Sequence, residues 1–133
     1  MKKGTVLLHK KFRFTNGQIG TKFLIILNSP AKDDPFLVCR TTSNPDRKPI
    51  REGCHSERNL FVINPGFDFF FVKTWVQFHE IFEFKAKEFL SAHFKGDLEI
   101  NAILRDQTIR AIINCVTKSP DISNYHLELL KKK

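Results

Sequence analysis

Gly20-Thr21-Lys22-Phe23-Leu24-Ile25-Ile26-Leu27, followed by Phe36-Leu37-Val38-Cys39-Arg40-Thr41-Thr42-Ser43, is the pair of stretches from which the fold reads. Both are runs of aromatic and β-branched residues bounded by turn formers, the signature of short strands. A cation enters the first strand and hydroxyls leave the second. Two neighbouring strands built this way bring Lys22 and Thr42-Ser43 around a single phosphate, because an ammonium and two hydroxyls are the donors an anion needs.

Reading outward, Thr5-Val6-Leu7-Leu8 and the alternating Phe12-Arg13-Phe14 form a strand kinked near Lys10-Lys11, and Thr15-Asn16-Gly17 is a turn signal. The second strand is expected from Lys22 to Asn28. Ser29-Pro30 and Asp33-Asp34-Pro35 enclose the connection to the third, from Phe36 to Thr42. Between Asn44 and Asn59, Pro45, Pro49, Gly53 and several cations leave little to bury, so this segment reads as a mobile surface loop. Leu60-Phe61-Val62-Ile63 resumes the sheet, and Phe69-Phe70-Phe71, Trp75-Val76 and Ile81-Phe82-Glu83-Phe84 read as further short strands. Phe69-Phe70-Phe71 has no interleaved Arg or Lys, which favours core packing over a base-stacking face.

A helix is expected from Lys85 to His93, stopped near Gly96, and a strand at Leu98-Glu99-Ile100-Asn101. Asp106 is placed to cap a helix with Ile109, Ile112, Ile113 and Val116 on one face, ended by Ser119-Pro120. Ser123 caps a last amphipathic turn carrying Leu127 and Leu130, and the apolar segment Ile122 to Leu130 either serves a dimer or folds back. Strands first and helices last imply a mainly β protein with α elements: one domain, 1–133, built as a small curved barrel with a short helix and a C-terminal helix.

The length of 133 residues suits a single core. A net charge of +8 in so short a chain favours a polyanionic partner, nucleic acid first, through counterion release. Cys39, Cys54 and Cys115 cannot all pair within one chain, and free thiols in apolar runs fit a reducing cytosol. No stretch approaches the ~20 apolar residues of a membrane span, so a cytoplasmic location without a membrane partner is expected. Cys54-His55 has no metal-binding spacing to Cys39, His9, His79 or Cys115, and neither a nucleophile elbow nor a glycine-rich phosphate loop occurs. The expectation is therefore no metal and no cofactor.

Gly20-Thr21-Lys22 running into Phe23-Leu24-Ile25-Ile26-Leu27, Thr42-Ser43 after the third strand, the later Thr74-Trp75-Val76-Gln77-Phe78-His79 and the segment Leu98 to Leu104 before a terminal helix together resemble the PemK/MazF toxins. The resemblance implies an SH3-like β-barrel, a homodimer, and a metal-independent endoribonuclease that cuts single-stranded RNA and is neutralised by an antitoxin protein. Lys22 stands where the family has its catalytic arginine, and Phe23 where it has a proline. By the same resemblance Thr42 and Ser43 bind the scissile phosphate, and the strand of His79 and Glu80 supplies polar groups to the same groove.

Such cleavage needs a base for the 2′-hydroxyl, positive charge at the phosphate oxygens and an acid for the departing 5′-oxygen. His79 suits proton transfer near neutral pH. The catalytic set is thus Lys22, Thr42, Ser43 and His79, with Arg47, Lys48, Arg51, Arg58 and Gln77 contacting RNA. A non-catalytic barrel that binds RNA or a protein segment is the alternative, and a toxin acting on another target such as a gyrase is a third.

Overall fold

The computed structural model describes residues 1–14 and 16–132, so the expected turn at Thr15-Asn16-Gly17 lies partly outside the described residues. Seven strands run β1 Thr5–Arg13, β2 Ile19–Ile26, β3 Phe36–Thr42, β4 Gly53–His55, β5 Leu60–Ile63, β6 Thr74–Phe84 and β7 Leu98–Ile103. Helix α1 Ala86–Phe94 precedes β7, and α2 Asp106–Thr117 and α3 Asn124–Lys131 follow it. The protein is mainly β with α, as its sequence implies. All the pairings are antiparallel, in the order β4-β5-β6-β3-β2-β1-β7.

This sheet does not close into the expected barrel, and the reason lies in the same apolar runs. A barrel strand alternates inward apolar with outward polar residues, whereas a sheet covered on both faces needs apolar residues at successive positions. Ile25 and Leu27 of the β2 run and Leu37 and Cys39 of β3 join one cluster, with Ile109, Ile112 and Val116 of α2 and Leu129 of α3. Leu24, Ile26, Phe36 and Val38 leave the other face and pack with Leu7, Phe12 and Phe89 of α1. The sheet is sandwiched between α2 and α3 on one side and α1 with a phenylalanine cluster on the other.

Three further expectations are corrected. Residues Ala86 onward apart, Thr74–Phe84 is one long strand, not two short ones, interrupted by a bulge: the register jumps from Arg40↔Gln77 to Val38↔Phe82, pushing Phe78 to Ile81 out opposite Cys39. Phe69-Phe70-Phe71 is a loop whose central ring alone is fully in the core. The 44–59 segment is structured: it holds β4 and a 3₁₀ turn at Ser56–Arg58, Trp75 Nε1 donates to Pro49 O at 2.8 Å, and Cys54 forms a disulfide with Cys115 of α2. The expectation of free thiols therefore holds for Cys39 alone, which is buried. No helix among the described residues is long and apolar enough to cross a membrane.

Candidate functional site

β2 and β3 pair at Ile26↔Val38, Ile25↔Cys39 and Leu24↔Arg40, and beyond that point the two strands separate although both continue. Side chains take over from the missing ladder. Thr41 Oγ1 donates to Phe23 O at 3.0 Å, and Lys22 Nζ donates to Thr41 O at 3.2 Å. The gap opens into a groove of about 480 Å³ lined by Lys22, Thr42 and Ser43 together with Phe69, Phe70 and Phe71. That volume is in the range of small-ligand sites.

Strand alternation puts Lys22, Arg40, Thr42 and Gln77 on one face, between the apolar group around Leu24 and Val38 and a second group of Leu60, Val62 and Trp75. A polar strip thus interrupts an otherwise apolar sheet face. Lys22 holds its proton less tightly than an ordinary lysine, first because of partial burial and then because the charges of Arg40 and Lys48 oppose its own. Its Nζ also stands 5.8 Å from the centroid of the Phe14 ring. An anion beside Lys22 would relieve this opposition of charges.

Arg40 Nη2 donates to His79 Nε2 at 2.9 Å, while Arg40 Nε is buried with no hydrogen-bond partner. A guanidinium can only donate, so the His79 ring accepts at Nε2 and is neutral in this arrangement. The His79 pKa is correspondingly lowered, by burial and by the Arg40 charge, with Glu80 acting in the opposite sense. The bulge of β6 is what turns the His79 ring toward Arg40.

The structure therefore brings together Lys22, Thr42 and Ser43 as the sequence implies, while His79 does not line the groove and instead meets Arg40. Lys48 lies near Lys22, half-buried, with its Nζ 3.2 Å from Asp46 O. Gln77 sits between Arg40 and Leu60 in the sheet register. Arg58 is engaged within its own loop, where its guanidinium donates to the carbonyl of Arg47, a residue with a left-handed φ of 57°. Arg51 is exposed, and its carbonyl accepts from His55 Nε2 at 2.8 Å.

Arg40 is the residue that reading the sequence overlooked. Its signal was the period of two: a strand that presents Thr42 on one face presents Arg40 on the same face. Among the described residues, no three His, Cys, Asp or Glu side chains come together in a metal-holding group. Compared with protein-family models, with curated proteins and with solved structures, the chain gives no match.

Proposed function

We propose that the groove between β2 and β3 binds single-stranded RNA and cleaves it through the ribose 2′-hydroxyl, as the resemblance to PemK/MazF toxins implies. The observation that carries this reading is that Lys22 lines one groove with the hydroxyls of Thr42 and Ser43, with Arg40 diagonal to Lys22 on the same sheet face. The family's closed barrel is not the form this sheet takes, so the resemblance rests on the strand entry and the Thr-Ser pair.

In this reading the phosphate sits against Lys22 and Arg40, and Thr42 and Ser43 donate to its non-bridging oxygens. Arg40, diagonal to Lys22 on the same sheet face, contributes the planar fork that Lys22 lacks. As negative charge builds on the phosphorane, fixed cations in a partly dehydrated groove stabilise it more than water does. The loosened proton of Lys22 passes to the departing 5′-oxygen. His79 positions Arg40 by accepting from it, and none of the residues lining the groove is acidic, so the proton of the attacking hydroxyl leaves to solvent. A neutralising antitoxin and a homodimeric state belong to the same proposal.

A second reading, an RNA-binding module that does not cut, is favoured by that same lack of a base in the groove. Incubation with single-stranded RNA in EDTA separates the two. Discrete cuts with 5′-hydroxyl ends, slowed about 100-fold or more in Lys22→Ala and Arg40→Ala, support the nuclease. Intact RNA held in a salt-sensitive complex supports the binding module.

A further inference from the structure

The loop between β5 and β6 presents an aromatic ring that the fold does not use. Phe70 is 5% exposed and anchors the loop in the core, while Phe71 is 90% exposed and lines the same groove as Lys22. Beneath it Phe69 packs edge-on against Phe70, with ring centroids 5.1 Å apart, and against Phe23 at 5.6 Å. The loop is fixed further at its base, where Gly66 N donates to Phe70 O at 2.9 Å and Asp68 Oδ2 accepts from Thr108 Oγ1 at 2.7 Å. A large apolar ring held in water by a braced loop costs solvation without adding core packing, so a ligand that covers it would bind with little ordering cost.

The polar part of the groove lining decides what that ligand is. Lys22 lines the groove together with the hydroxyls of Thr42 and Ser43, a set of donors that an anion satisfies and an apolar peptide does not. A single nucleic acid strand presents both halves, a phosphate and, one torsion away, the flat face of an unpaired base. Resting on the function proposed above, we infer that Phe71 is a stacking platform for the base adjoining the phosphate held at Lys22, and that it selects single strands, because a duplex keeps its base faces covered.

The test compares two uncleavable probes: a short 2′-O-methyl RNA and the same backbone carrying abasic sugars. Wild-type protein is expected to bind the base-bearing probe about tenfold or more tighter than the abasic one. Phe71→Ala should erase that difference and Phe71→Trp should restore it; at an exposed position neither change touches the core. Loss of affinity for both probes alike, no loss for either, or preference of the wild type for phosphatidylglycerol vesicles over the oligomer overturns the inference. The probes have no 2′-hydroxyl, so the outcome is independent of catalysis. Base-dependent binding without cutting of ordinary RNA leaves the stacking role standing and removes the nuclease; cutting that is indifferent to Phe71→Ala does the reverse.

Discussion

At the scale of single residues, the behaviour of Lys22 with pH follows from its surroundings. Burial and the Arg40 and Lys48 charges destabilise its protonated form, so its pKa in the folded protein lies below the ordinary 10.5. A group that must be protonated to act as an acid loses activity as pH rises through its own pKa. In the proposed reaction the rate should therefore increase with pH while hydroxide assists the attack, then fall on a limb that lies below 10.5. A pH-rate profile checks this, and a rate still climbing beyond that pH removes the acid role. His79 offers a sharper choice. If it positions Arg40, His79→Gln keeps an acceptor and cleavage stays within about fivefold of wild type, whereas loss of a general base costs on the order of 10²–10⁴ in rate. Lys22, Thr42 and Ser43 were legible in the sequence because a cation at a strand entry and hydroxyls at a strand exit are local patterns. The Arg40–His79 contact was not, because it depends on a bulge that shifts the register by side-chain packing across the sheet.

At the scale of elements, the turn before β5 hangs on Asn59. This buried residue adopts φ 56° and ψ 42°, a left-handed conformation that asparagine tolerates better than most residues. Its Nδ2 donates to Asp121 Oδ2 at 2.7 Å, and its Oδ1 accepts from Ser119, so the turn is tied to the segment between α2 and α3. Asn59→Ala retains the strained backbone and strands both partners; the expected loss is about 2–4 kcal/mol in chemical denaturation, with Asn59→Gly recovering only the backbone share. How readable an element was tracks how local its determinants are. Ser123 caps α3 by accepting from His126 N at 3.1 Å, three residues on, and was plain from sequence. Asp106 was expected to cap α2, yet it is the first helical residue and the N-cap is Arg105, whose N–H donates to Asp68 Oδ2 at 3.1 Å across a sequence separation of 37. β4, three residues without alternation, exists only because β5 lies beside it and Cys54 is bonded to α2.

At the scale of the whole molecule, the mixture of strands and helices was readable and the closure of the sheet was not. Unbroken apolar runs such as Phe23 to Leu27 fit either a barrel strand with a greasy exterior or a sheet covered on both sides. Only the placement of α1 against one face and of α2 with α3 against the other distinguishes them. The Cys54–Cys115 disulfide spans a sequence separation of 61 and joins the β4 edge to the helical layer. Closing a loop of that size restricts the unfolded chain by roughly 4 kcal/mol, so reduction should lower the Tm by about 15 °C. Alkylation of the folded protein after mild reduction should label the half-buried Cys54 and spare Cys39, whose burial pushes its thiol far above the ordinary range. An unchanged melting curve on reduction would sink this account. The pairing of β1 with β7 joins His9 to Leu98, roughly ninety residues later. On a ribosome adding about 5–20 residues per second, one edge of β1 therefore waits several seconds after synthesis for its partner, exposed to other nascent chains and to holding chaperones.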